Sequence, residues 1–309
     1  PSGPTEMRGG RGRGVFGGGA THPAGDRNFI EKIEIATTGN GTDFGDLSSS
    51  KRDVAATGSS IRGVFAGGGY PTSVNRIDYL NFSSEGGAND FGDLIQLRFI
   101  ASGASNNTRG IFAGGVTVSP STPATTGYNI IEFITIATTG GSNEFGSLNT
   151  TRWAASGVNS TSRAIFAGGA NPTFQSIIDF VTIATLGDSQ DFGELSGTYR
   201  NMLPACSKTR GVFAGSMTSP SSNDPINTID FITMTTLGNV TDFGDLSTAR
   251  FRGGGVSNSV RGVFAGGIVG PNSTDETNTI DFITITSTGN TTDFGDLTEA
   301  RRGNAGASD

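Results

Sequence analysis

The sequence predicts an all-β chain folded as a six-bladed β-propeller of four-stranded antiparallel blades, and three observations lead there. First, one stretch recurs six times, its opening arginine at Arg13, Arg62, Arg109, Arg163, Arg210 and Arg261, at spacings of 49, 47, 54, 47 and 51 residues. A period near fifty belongs to propellers, whereas helical solenoids repeat at shorter intervals. Second, no segment carries the 3.6-residue apolar period of an amphipathic helix. Third, the two ends of the chain hold complementary parts of a single repeat, so the ring can close on itself.

Residues 1–12 (PSGPTEMRGGRG) are Gly, Pro and charge without a strand pattern and are expected to be a flexible or partner-bound arm. Residues 13–309 then form the propeller. Each repeat supplies four short turn-bounded segments. These are RGVFAGG, IDFITI, TDFGDL and an Arg-led run rich in Ala, Gly and Ser, such as Arg152 to Ser156. Strands of this length bounded by Gly, Ser and Asn fit an antiparallel blade. IDFITI does not alternate cleanly, because Ile229, Phe231, Ile232 and Met234 put apolar groups on both faces. Blades packed face to face require that. The glycine doublets Gly67–Gly68 and Gly114–Gly115 suit positive φ or close backbone approach.

The last repeat stops after Arg301 with RGNAGASD, whose RGVF continuation exists only at Arg13. Residues 302–309 are therefore predicted to pair antiparallel with 13–18, in the blade holding Ile30 and Phe44. That would leave no blade with an open edge.

Composition narrows the function. The 34% apolar content rises to an ordinary globular level once the 49 glycines are added. A net charge of −7 argues against a nucleic-acid partner. No apolar run approaches the ~18 residues of a membrane helix, so no membrane insertion is expected. No signal segment is recognisable, and the chain opens at Pro1 rather than Met, as a processed product or a piece of a longer polypeptide would. Single Cys206 leaves no internal disulfide and no Cys-based zinc site.

Arg250, the four residues Gly262 to Ala265, the doublet Gly266–Gly267, then Phe282 and Phe294 follow one another in the order of a kelch unit, and over residues 13–309 the chain resembles kelch repeats. Two departures stand out. The Phe of D-F-G replaces the family's Trp in all six repeats, and the family's Tyr is mostly Phe. The resemblance implies the propeller and leaves function open, since one fold hosts many roles. The phrase IATTGN-x-TDFGDL-x-x-AR is also similar to repeat proteins of marine bacteriophages, which implies a virion structural or tail-associated component.

D-F-G invites a kinase assignment, but six copies without a Gly-rich loop, its Lys or an H-R-D segment exclude it. Acids follow the repeat Ile (Asp78, Asp179, Asp230 and Asp281 among them), open D/E-F-G, and close it in five repeats. Facing them are two arginine sets, Arg62, Arg109, Arg163, Arg210 and Arg261 with Arg13, and Arg52, Arg98, Arg152, Arg200, Arg250 and Arg301. A buried Arg–carboxylate lattice explains these charges better than a ring of metal or ligand sites, and Arg109 with its equivalents is predicted to lie mostly buried against repeat carboxylates. No cofactor and no enzymatic activity are expected. A copper-radical oxidase needs two His and a Cys–Tyr crosslink, sialidase propellers need Asp boxes ending in Trp, and a Ser–His–Asp triad could use only His22.

Loop lengths separate the two faces of the disc. Seven residues join IDFITI to D/E-F-G in every repeat, while 10, 8, 15, 8, 12 and 12 join RGVFAGG to the Ile. The variable face carries His22, Tyr70, Tyr128, Phe174, Met217, Asp275 and Glu276, where binding residues would concentrate. The expected role is a structural or binding module of a virion, contacting other assembly proteins or a host surface, with a homo-oligomer as one arrangement. The rival role is a lectin-like propeller at the cell surface or outside the cell, stacking glycans on loop aromatics.

Overall fold

The computed structural model describes residues 12–69, 71–118, 127–218 and 224–309, and in them the chain forms six four-stranded antiparallel blades and no helix. The rest of the predicted arm and Tyr70 lie outside the described residues. Gly12 belongs to the fold, since its N–H donates to Asp309 Oδ1 at 2.8 Å and its carbonyl accepts from Ile35.

Blade 2 shows the plan, with strands Ala55–Gly58, Arg62–Ala66, Val74–Asn81 and Asn89–Arg98 running from the axis outward. The innermost strand comes from the end of the preceding repeat, so blades are offset from repeats by one strand. Its small residues answer to geometry, because each inner strand packs against the inner strands of both neighbours. A Cβ on Gly255 would lie 1.9 Å from the Pro204 carbonyl oxygen. Only glycine tolerates that approach.

The second strand is buried on both faces, and the third meets the outer strand through a bulge after the repeat Ile, as at Ile229/Asp230. Opposite the bulge sits the Gly of D-F-G, at φ between 142° and 157° in all six blades. A Cβ there would meet the loop of the next blade, for example the Gly86 oxygen 2.2 Å from Gly45. The tripeptide is thus a packing device. Its Phe fills the core, its Gly forms the bulge and lets the next blade in, and its acid faces solvent.

The core is not central but divided among the blade junctions. Val15, Ile30, Phe44 and Leu47 of blade 1 pack against Val54, Phe65, Leu80 and Phe82 of blade 2, and five equivalent clusters complete the circle. Ring closure occurs as predicted. Ala305–Ser308 pairs antiparallel with Arg13–Gly17, placing Val15 opposite Ala307 and Phe16 opposite Gly306, inside the blade of Ile30 and Phe44. Asp309 adds a clasp by accepting from the N–H groups of Gly12 and Arg13 at 2.8 and 2.7 Å.

A second closed circuit surrounds the axis where the crossovers enter the inner strands. Asp53 N–H donates to the carbonyl of Gly303, Ile100 to Asp53, Ala154 to Ile100, Asn201 to Ala154, Arg252 to Asn201, and Gly303 back to Arg252, at 2.7–3.1 Å. All six residues are left-handed, with φ from 55° to 65°. That conformation is unfavourable for Ile100 in particular and persists because the surrounding ring imposes it.

Candidate functional site

The lattice exists, but it is built by the second of the two predicted arginine sets, through Arg98, Arg152, Arg250 and Arg301, and not by the strand-opening set. The acid after each repeat Ile is buried, and five of the six are met by a cation from the preceding crossover. Lys51 reaches Asp78 at 2.8 Å, Arg152 reaches Asp179 at 2.9 Å and Arg250 reaches Asp281 at 2.9 Å, while Arg98 pairs with Glu132 and Arg301 with Glu31. The arginines also donate to carbonyls of the blade they enter, as Arg98 does to Gly114 and Ile130. Each cation thereby fixes a crossover to the next blade. Burial dominates the electrostatics. It lowers the pKa of Arg152 and raises that of Asp179 in spite of their mutual attraction. Pairs of this kind fix geometry more than they add stability.

Blade 5 breaks the series. The position four residues after the repeat Leu is Lys51, Arg98, Arg152, Arg250 or Arg301 elsewhere, but Tyr199 here. Asp230, 3% exposed, is left with a hydrogen bond from Ser196 Oγ and no salt bridge among the described residues. Burial accordingly raises its pKa, with the Ser196 hydrogen bonds opposing.

Five of the six strand-opening arginines correct the prediction, while Arg13 does meet a carboxylate, the exposed Glu34, at 3.3 Å. Arg62, Arg109, Arg163, Arg210 and Arg261 are half-buried and meet no carboxylate. Each guanidinium instead lies 4.6–4.8 Å from the centroid of Tyr79, Phe133, Phe180, Phe231 or Phe282. It donates to a main-chain carbonyl of the following blade, Arg62 to Ile136, Arg109 to Ile183, Arg163 to Met234, Arg210 to Ile285 and Arg261 to Ala36. That aromatic stands edge-on to the Phe of D-F-G at 5.9–6.0 Å. A guanidinium already half in water and paired with an uncharged carbonyl strands no buried charge when removed. Arg163→Ala is therefore expected to lose about 1–3 kcal/mol of unfolding free energy in urea. A loss equal to that of Arg152→Ala would show that a carboxylate had been missed.

The variable loops and the crossovers share one face, and at its centre the mouth of the axis combines an apolar and a charged region. Phe99, Val116, Val118, Trp153, Ala154, Ala170, Phe174, Met217, Phe251 and Ile268 form a seventh apolar cluster there. Phe174 and Met217, expected as loop contacts, are thus mostly buried. Tyr128 is half-buried and its hydroxyl lies 2.7 Å from Thr117 Oγ1. Asp275 caps its own turn by accepting from Asn272 at 3.1 Å, and Glu276 pairs with Arg302 and accepts from the His22 N–H. Only His22 of the described candidates is exposed.

The charged region was missed from the sequence. Arg252 forms a two-point ion pair with Asp53 across Gly303, Arg52 lies 3.5 Å from Asp26, and Arg302 holds Glu276. Arg200 stands beside them, stacked 4.6 Å over Phe174. The available signal was register. Arg52 and Arg200 lie five residues after the repeat Leu rather than four, which moves them from the lattice to the mouth.

Among the described residues no group of three or more His, Cys, Asp or Glu could hold a metal ion. The chain matches no family model and no characterised protein.

Proposed function

We propose that the protein is a non-enzymatic structural and binding module of a bacteriophage virion, joining neighbouring assembly proteins or engaging a host surface. The observation that carries it is the division of labour between the faces. Six near-identical blades are locked by a closed strand, a hydrogen-bond circuit and five buried ion pairs, while differences in loop length are confined to one side. A rigid disc with one individual face is the economy of a connector or attachment domain. The kelch-like order of residues and the IATTGN phrasing support the same assignment by resemblance alone. The lectin role finds less support, since Phe174, one of its stacking aromatics, is covered by Arg200. Mass spectrometry of density-purified particles from the source culture tests the proposal. The chain is expected in fixed ratio to the major capsid protein, and its confinement to the particle-free fraction would refute the virion role.

A further inference from the structure

Four guanidiniums gather at the axial mouth, Arg52, Arg200, Arg252 and Arg302, against three carboxylates, Asp26, Asp53 and Glu276. Arg52, Arg252 and Arg302 each have an acid. Arg200 has none. Its Nε is buried without a hydrogen-bond partner, and its Nη2 meets only the thioether of Met217 at 3.4 Å, a weak acceptor. Of the segments outside the described residues, 70, 119–126 and 219–223 contain no Asp or Glu, and 1–11 contains one acid, Glu6.

We propose that this mouth is a binding site for a single oxyanion group, a carboxylate, phosphate or sulfate, received by Arg200. The planar fork is held in place by Phe174 beneath it, so little rotamer freedom remains to be lost when a two-oxygen acceptor docks. The neighbourhood favours negative charge. Burial, and next the nearby Arg252, pull the pKa of Arg200 down to about 10, with Asp53 only partly opposing. An anion seated there would relieve both effects. Asp26, whose pKa burial raises, offers weaker competition than an ordinary carboxylate. The chain as a whole is acidic, with a net charge of −7, so attraction is confined to the mouth rather than spread over the surface. The site sits on the variable-loop side, against the buried apolar cluster that holds Phe99, Trp153 and Phe251. The inference stands whether or not the chain is part of a virion.

Trp153, the single tryptophan, belongs to the cluster under Arg200 and reports on the site. Its fluorescence is followed while the full chain is titrated with phosphate, sulfate or glucuronate at constant ionic strength, with glucose as the neutral control. The first two stand for free inorganic anions, and glucuronate stands for the acidic sugar of a surface polysaccharide. At least one oxyanion is expected to saturate the signal, and glucose is expected to leave it flat. Arg200→Gln is expected to weaken binding about tenfold or more, whereas Arg62→Gln, in an inter-blade clasp, leaves it unchanged. Phenylglyoxal labelling of the unaltered chain needs no variant, and the tightest oxyanion should protect Arg200. The proposal is overturned by the absence of saturation with all three oxyanions, by equal affinity in Arg200→Gln, or by equal labelling of Arg200 with and without the anion.

Discussion

Deleting residues 302–309 is expected to abolish the cooperative folding of the whole domain, not to fray one end. The segment supplies the inner strand of blade 1, paired residue for residue from Gly14–Ser308 to Gly17–Ala305. It also supplies Gly303, one of six links in the axial circuit, and Asp309, which receives the Gly12 and Arg13 N–H groups. Without it the inner strands of blades 6 and 2 lose the neighbour that both pack against. Losses of that number exceed the 5–15 kcal/mol by which domains are ordinarily stable. A permuted chain checks that position, not mere presence, matters. In all five continuous repeats the lattice position precedes the strand-opening Arg by 11 residues, from Lys51–Arg62 to Arg250–Arg261. Fusing residues 301–309 ahead of Arg11 reproduces that spacing for Arg301 and Arg13. The truncated chain should show no sharp thermal transition, and the permuted chain should regain one. A truncation that melts like the full chain would mean the ring is held elsewhere.

The architecture was legible because a propeller repeats its instructions. Six copies of RGVFAGG, I-D and D-F-G fix blade number, strand count and the cut repeat, and the two chain ends announce their own partnership. What failed was the assignment of charge. Arg62 and Arg98 look alike as letters, yet one opens a strand beside an aromatic on its neighbour and the other lies in a crossover above a buried acid. Composition cannot separate them, but spacing can. Counting four residues from the repeat Leu selects Lys51 and passes over Arg52, and it exposes Tyr199 as the gap. The mouth was less legible, because its four arginines come from four different stretches that meet only once the ring closes. Exposure of the loop aromatics was not legible either. Phe174 lies in a variable loop, but its ring is covered by an arginine 26 residues later in the chain.

Asp230 and Asp281 occupy one position in adjacent blades, and replacing each by Asn is expected to change stability in opposite directions. Asp281 forms an ion pair with Arg250 and accepts from Ser247 Oγ, and both carboxylate and guanidinium are shut away from water. Asp281→Asn strands the cation, so a loss of about 3–5 kcal/mol is expected. Asp230 has no cation to strand, because Tyr199 stands where the others carry Lys or Arg. Its ionised form is what the fold resists, through burial, while Ser196 supplies one hydrogen bond that an amide can also accept. Asp230→Asn should therefore stabilise the domain at neutral pH, by about 0.5–2 kcal/mol. The pH dependence follows in sign. Because the folded pKa is raised above the ordinary 3.8, the native state keeps a proton through a window in which the unfolded chain has lost it. Stability from this group is then highest below that window and falls as pH rises through the folded pKa. The advantage of Asp230→Asn should accordingly be full at pH 7 and vanish on acidification to about pH 4. Urea denaturation of the two variants across that range decides the matter. If Asp230→Asn proves as damaging as Asp281→Asn, the carboxylate has a cationic partner after all, and the gap in the lattice at blade 5 does not exist.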